Sequence, residues 1–170
     1  NSISENIGVK HLMNIKSVAQ RRENMLWFRV PPKIYFKRGA LKLALTEELK
    51  GRTRAFIITD KTMENLGHVR SVSDIVESLG IQFRVFSDVK PDPDIANITA
   101  ALQTANAFQP DIFISLGGGS PMDAAKMVWL MYENPDQKFE DIAMRFMDIR
   151  KRINTVPELG RKAVMVAIPT

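Results

Sequence analysis

Three consecutive glycines, Gly117, Gly118 and Gly119, separate an apolar run from the predicted start of a helix in SLGGGSPMDAAK, residues 115–126. Glycine has no Cβ atom, so its backbone can adopt positive φ and a ligand can approach it closely. A turn seldom needs more than one glycine, yet this one takes three of the nine in the chain. The triplet therefore favours a site where phosphate meets bare backbone over a purely structural turn.

The residues after the triplet predict a helix whose first amides could hold that phosphate. We interpret Ser120 as the N-cap, Pro121 as the first helical residue and Asp123 as the acid of a capping box. The amides and the positive dipole end of a helix attract anions. The spacing matches neither G-x-G-x-x-G nor the Walker motif, so an ATPase is disfavoured and a dinucleotide remains open.

Acidic residues also follow two other predicted strands. Asp60 ends FIITD, where a carboxylate could accept hydrogen bonds from ribose hydroxyls and repel a 2'-phosphate, favouring NAD over NADP; a helix N-cap explains it equally well. Because Asp60 precedes the triplet, the usual order of a dinucleotide fingerprint is not met. In the KPDPD loop, Asp92 or Asp94 can cap the next helix, and a ligand role is the minority interpretation.

Composition excludes several other chemistries. The chain has no cysteine, so it holds no disulfide, thiolate metal site or cysteine nucleophile, and its two histidines, His11 and His68, lack metal-ligand spacing. Its net charge of +5 permits anionic ligands without requiring nucleic acid. A short basic patch without interleaved aromatic residues favours a solvated face or a protein contact over nucleic acid; its members are Arg145, Arg150, Lys151 and Arg152.

The elements that must position these residues alternate between apolar strands and helices. Strands are predicted at 33–36, 54–59, 81–86, 111–116 and 163–168, and helices at 41–49, 68–79, 94–108, 121–132 and 139–150. Buried strands separated by helices indicate an α/β, Rossmann-like, doubly wound and mostly parallel sheet with helices on both faces. Ligands bind such sheets beyond the carboxyl ends of the strands, where the acidic loops and the triplet lie.

The predicted organisation is a linker or docking arm over residues 1–30 and one NAD-binding domain over residues 31–170, truncated at its C-terminal end. Pro31 and Pro32 mark the boundary. No apolar run approaches the roughly 18 residues of a membrane helix, so we expect a soluble, cytoplasmic protein. The start at Asn1 and the stop at Thr170, directly after a predicted strand, lead us to expect a piece of something longer.

The ordered set FIITDK, KPDPD, SLGGGSPMDAAK and AIPT resembles the N-terminal cofactor domain of the iron-dependent (group III) alcohol dehydrogenases. Residues 5–41 and 139–153 are further similar to the alcohol dehydrogenase half of bacterial bifunctional aldehyde-alcohol dehydrogenases. The resemblance implies eight cofactor-binding residues. They are the pyrophosphate turn Gly117, Gly118, Gly119 and Ser120, the motif acid Asp123, the ribose acid Asp60, Asp92 near the nicotinamide, and Thr170 in a nucleotide-contacting segment.

The resemblance also implies an activity. The parent enzyme would reduce acetaldehyde to ethanol in fermentation, by hydride transfer from NADH at Fe(II). The iron ligands would lie in a helical domain absent from this chain, so no catalytic or metal-ligating residue is expected here and the chain alone should be inactive. A homo-oligomer, including a filamentous one, is implied, with no nucleic acid or membrane as partner. Two alternatives stay open: another group III alcohol or polyol dehydrogenase, and a noncatalytic nucleotide-binding or assembly module.

Overall fold

The computed structural model describes residues 31–137 and 157–170. The elements in that part of the chain are, in order, α1 (Ala40–Glu48), β1 (Arg54–Ile58), α2 (Lys61–Asn65), α3 (His68–Ser78), β2 (Gln82–Phe86), α4 (Ile95–Phe108), β3 (Ile112–Gly117), α5 (Gly119–Glu133) and β4 (Val164–Pro169). The predicted arm over 1–30, the helix over 139–150 and the basic patch lie outside the described residues.

The four strands form one parallel sheet in the order β2-β1-β3-β4. Ile58 at the end of β1 pairs with Phe86 of β2 on one side and with Ser115 of β3 on the other. Ile112 of β3 pairs with Val164 of β4. The carboxyl ends of β1, β2 and β3 therefore lie side by side at one edge of the sheet, and the predicted α/β fold class is confirmed.

Helices cover both faces of this sheet. Phe56 and Phe113 point to one face, where α4 and α5 pack, and the neighbouring Ile57 and Ile114 point to the other, where α1 and α3 pack. All four side chains are fully buried. Because each burial of such a side chain contributes roughly 1.5–3 kcal/mol, strands without a polar face fold only with helices on both sides. The doubly wound arrangement is confirmed.

The prediction of a strand at residues 33–36 is wrong, since this segment has neither helix nor strand. Tyr35 is held through its side chain: its hydroxyl lies 2.6 Å from Glu47 Oε2 and 2.9 Å from Glu48 Oε1, both in α1. Phe36 is 87% exposed. The prediction rested on residue types that are common in β-strands. Strand propensity depends strongly on context, and the contact that holds Tyr35 here is made by its side chain.

Candidate functional site

A cavity of about 660 Å³ opens at the carboxyl ends of β1, β2 and β3. Three loop segments line it, each following one of these strands, and the first and third continue into the starts of α2 and α5: residues 60–62, 88–91 and 118–121. They are the loops in which the sequence places Asp60, KPDPD and the glycine triplet. The parallel order of the sheet thus brings together three segments that are far apart along the chain.

The three glycines of the triplet have different reasons to be glycine. Gly117 has φ of +136°, and a Cβ atom there would lie 2.8 Å from Pro121 Cγ, so the turn itself needs glycine. At Gly118 and Gly119 an added Cβ would meet nothing within 4 Å, and neither has positive φ. Both line the cavity. Neither chain geometry nor packing requires glycine at 118 and 119, and the open space beside their backbone suits a ligand that approaches closely.

The predicted capping box at the start of α5 is wrong. The helix begins at Gly119, with Gly118 in extended conformation as an N-cap that offers no side-chain hydrogen bond. Ser120 lies in the first turn, and its Oγ is 3.4 Å from the Asp92 amide. Asp123 pairs at 3.0 Å with Lys126 Nζ, both well exposed. The helix thus begins two residues earlier than predicted, and no side chain caps its first amides.

Asp60 combines a structural contact with a position at the cavity. It is the N-cap of α2, a five-residue helix that the sequence pattern did not reveal, and its Oδ1 accepts a hydrogen bond of 2.9 Å from the Met63 amide. Among the described residues, its Oδ2 has no hydrogen-bond partner. The carboxylate is half-buried and lines the cavity. One oxygen therefore caps the helix while the other can accept from a ligand.

A buried asparagine that the sequence analysis missed shapes the loop after β2. Asn97 donates from Nδ2 to the carbonyl of Asp88 at 2.8 Å and accepts at Oδ1 from the Lys90 amide at 3.2 Å. Asp94, not Asp92, caps α4 through the Asn97 amide at 2.7 Å. Asp92 adopts φ of +49°, and its own amide points to Ser120. The only signal in the sequence for this role of Asn97 was a polar residue on an otherwise apolar face of the helix predicted over 94–108.

A second missed group is the polar cluster around Lys61, of which Lys61 and Asp88 line the cavity. Lys61 Nζ lies 2.9 Å from Glu64 Oε2, 2.9 Å from Ser87 Oγ and 3.2 Å from Asp88 Oδ1. Hydrogen bonds to Glu64 and Asp88 raise the pKa of Lys61 above its ordinary value. Hydrogen bonds from Lys61 and Ser87 lower the pKa of Glu64. The pattern that could have revealed this cluster is a set of polar residues directly after two adjacent strands.

The structure gathers some of the eight proposed cofactor residues and not others. Asp60, Gly118, Gly119 and Ser120 line the cavity, whereas Gly117 and Asp123 do not. Asp92 reaches the cavity loops through its backbone contact, and the exposed Thr170 follows β4 outside the lining. Within residues 31–137 and 157–170, no three acidic, histidine or cysteine side chains cluster closely enough to hold a metal ion. No helix in that same part of the chain is long and apolar enough to cross a membrane.

Comparison with known proteins shows similarity along the whole chain. It is 54% identical to the aldehyde-alcohol dehydrogenase of Clostridium acetobutylicum over 172 residues, covering all of this chain and 20% of that protein. It is 50% identical to the bifunctional aldehyde-alcohol dehydrogenase of Escherichia coli K12, covering all of this chain and 19% of that protein. The chain thus spans about a fifth of the length of these relatives.

Solved structures and a family model agree with this similarity. The iron-containing alcohol dehydrogenase of Thermococcus thioreducens superposes with a TM-score of 0.68 at 29% identity, over 77% of this chain and 33% of that one. An iron-containing alcohol dehydrogenase of Thermotoga maritima gives a TM-score of 0.61 at 27% identity, over 76% of this chain and 33% of that one. The model of the iron-containing alcohol dehydrogenases matches residues 31–170. The chain therefore belongs to the iron-containing alcohol dehydrogenase family.

Proposed function

We propose that the chain is the NAD(H)-binding domain of a bifunctional aldehyde-alcohol dehydrogenase that reduces acetaldehyde to ethanol. One observation carries the proposal: Gly118 and Gly119 present bare backbone to a cavity at the carboxyl ends of the strands, although neither turn geometry nor packing requires glycine there. The identity to two aldehyde-alcohol dehydrogenases over the whole chain supports the substrate class. Residues 31–170 would form the cofactor domain, and residues 1–30 a linker or docking arm.

In this proposal each loop holds one part of the dinucleotide. The first amides of α5, at Gly119 and Ser120, have no acceptor within the helix and would donate to the pyrophosphate. Oδ2 of Asp60 would accept hydrogen bonds from the ribose hydroxyls while Oδ1 continues to cap α2. Asp92 would lie toward the nicotinamide. Roles for Asp123 and Thr170 rest on the resemblance alone, since the structure places neither in the cavity lining.

The chemistry would be shared between the bound groups and the protein. NADH would supply the hydride, and Fe(II), held by residues outside this chain, would polarise the aldehyde oxygen. The domain would bind the dinucleotide and fix its orientation. The buried Asn97 supports this role because its side chain holds the backbone of the second loop, at Asp88 and Lys90, in place. A pre-organised loop lowers the entropic cost of binding.

The test is a calorimetric titration of the chain with NADH, comparing wild type with Gly118→Val. The backbone at 118 is extended, with φ of −77° and ψ of −156°, and an added Cβ atom meets no neighbour. The variant should therefore fold, while its branched side chain occupies the space of the pyrophosphate. We expect NADH affinity to fall more than about tenfold, or about 1.4 kcal/mol. Wild-type affinity in a variant with unchanged thermal unfolding would contradict the proposal.

A further inference from the structure

We propose that Glu64, Ser87 and Asp88 are positioning residues: by occupying the Lys61 ammonium they keep it from pairing with a 2'-phosphate, and they thereby strengthen discrimination against a 2'-phosphorylated dinucleotide. This inference rests on the proposed function, because it concerns the ribose that Asp60 would bind. It assigns a specificity role to a cluster lying next to the carboxylate expected to contact the ligand.

The geometry uses every donor of the lysine side chain. An ammonium has three N–H donors, and Lys61 Nζ has three acceptors within 3.2 Å, in Glu64, Ser87 and Asp88. Ser87 is buried, so its hydroxyl is a fixed anchor at the end of β2. The two acids come from different elements, Glu64 from α2 and Asp88 from the loop after β2. Lys61 is therefore held between two of the three loops that line the cavity.

This arrangement leaves the charge of Asp60 uncompensated. Lys61 is the neighbour of Asp60 in sequence, yet its ion pairs are with Glu64 and Asp88. Among the described residues, Asp60 has no ion pair of its own. Two carboxylates, Glu64 and Asp88, thus pair with the ammonium, and Asp60, next to Lys61 in the chain, adds a third negative charge without pairing with it. A ribose with two hydroxyl donors would be accepted there, whereas a 2'-phosphate dianion would be repelled by the carboxylate of Asp60, and Lys61 could pair with it only by losing existing partners.

Releasing the lysine should reverse this preference. In a Glu64→Gln/Asp88→Asn double variant, two negative charges disappear and Lys61 loses both ion pairs. The carbonyl of Asp88, which accepts from Asn97, belongs to the backbone, so the loop keeps its tether. Lys61 can then turn toward a 2'-phosphate and form a charge-assisted hydrogen bond. The ratio of NADPH to NADH affinity should rise about tenfold at low ionic strength, and the rise should shrink in high salt.

The experiment measures dissociation constants for NADH and NADPH by calorimetry in 20 mM salt. It compares wild type, the double variant, and the double variant with Lys61→Met added. Asp74→Asn is the matched control, since it removes an exposed carboxylate that pairs with Arg70 at 3.9 Å and does not line the cavity. Thermal unfolding of each variant verifies that it is folded. We expect the affinity ratio to shift in the double variant only.

The outcomes separate this inference from the function on which it rests. A wild-type chain that binds no NADH contradicts the proposed function, and the inference falls with it. NADH binding with an unchanged NADPH to NADH ratio in the double variant overturns the inference alone. A shift that survives Lys61→Met also overturns it, because simple removal of negative charge would then explain the change without any release of the lysine.

Discussion

Asp60 illustrates how one side chain can satisfy two requirements at the edge of a sheet. Its Oδ1 caps α2 through the Met63 amide, and its Oδ2 has no hydrogen-bond partner among the described residues, in a residue that lines the cavity. Sequence reasoning weighed the cap and the ribose contact as alternatives. The structure shows the cap, and the cap occupies only one oxygen, so a ribose contact at the other oxygen is compatible with it.

The preference for NADH over NADPH tests whether Asp60 contacts the ribose. Asp60→Asn keeps a good N-cap, because asparagine is as effective as aspartate there, but removes the charge. Asp60→Gly also loses the cap hydrogen bond, at a cost of only a few tenths of a kcal/mol. Both variants should bind NADH more weakly and NADPH more tightly, as measured by calorimetry. An unchanged NADPH to NADH ratio in both variants would mean that Asp60 serves α2 alone.

Substitutions in the glycine triplet should separate effects on stability from effects on NADH binding. Gly117→Ala places a Cβ 2.8 Å from Pro121 Cγ at a φ of +136°, so this variant should be destabilised by more than about 1 kcal/mol. Gly119→Ala meets no neighbour and replaces glycine at the first position of a helix, so its free energy of unfolding should be equal or higher. Urea denaturation measures both.

NADH titration completes this comparison. Although Gly119→Ala should be at least as stable as wild type, its methyl group would stand where the pyrophosphate approaches, so its NADH affinity should fall severalfold. A stable Gly119→Ala variant with wild-type affinity would show that position 119 has no contact with a ligand.

At the scale of elements, the apolar strands and the helix periodicity predicted the core, whereas contacts between elements could not be predicted. RAFII and IFISLG have the continuous apolar character that parallel sheets require, and both are buried as expected. Glu133 is the opposite case: its carboxylate is buried and accepts hydrogen bonds from the amides of residues 161–163. Nothing local to Glu133 reveals partners about thirty residues away.

Glu133 therefore provides a stability test for the junction of α5 and β4. Its Oε1 lies 2.9 Å from the Lys162 amide and 2.7 Å from the Ala163 amide. Glu133→Gln replaces one accepting oxygen with a donor that faces another donor. The free energy of unfolding should fall by about 1.5–3 kcal/mol, the usual value for hydrogen bonds to a charged group. A change below about 0.5 kcal/mol in urea denaturation would show that these hydrogen bonds do not stabilise the junction.

Tyr132, next to Glu133 in α5, should make the free energy of unfolding depend on pH. Burial raises the pKa of Tyr132 above its ordinary value of 10. The unfolded chain therefore loses the phenol proton of Tyr132 at a lower pH than the folded chain does. The stability that protonated Tyr132 contributes is complete below pH 10 and declines as the pH rises further. Tyr132→Phe should be about 1 kcal/mol less stable at pH 7, through loss of the hydroxyl bond to the Pro110 carbonyl. Its stability should decline less steeply above pH 10 than that of wild type.

At the scale of the whole molecule, the sheet order converts separate sequence motifs into one site. The alternation of strands and helices predicted a parallel sheet, and the rule that ligands bind at carboxyl ends predicted which loops would meet. The start of α5 could not be predicted, because Ser120 and Asp123 have the residue types of a capping box. Gly118 in extended conformation instead lets the helix begin at Gly119.

The central claim is that a dinucleotide binds at the carboxyl ends of β1, β2 and β3, and amide chemical shifts of the isotope-labelled chain during NADH titration test it most directly. The account predicts the largest changes at Gly118, Gly119 and Lys61. It predicts little change at Thr53 and Asp111, which lie at the opposite ends of β1 and β3 and are joined by a 2.7 Å hydrogen bond. Changes centred on Thr53 and Asp111, or none under saturating NADH, would contradict the account.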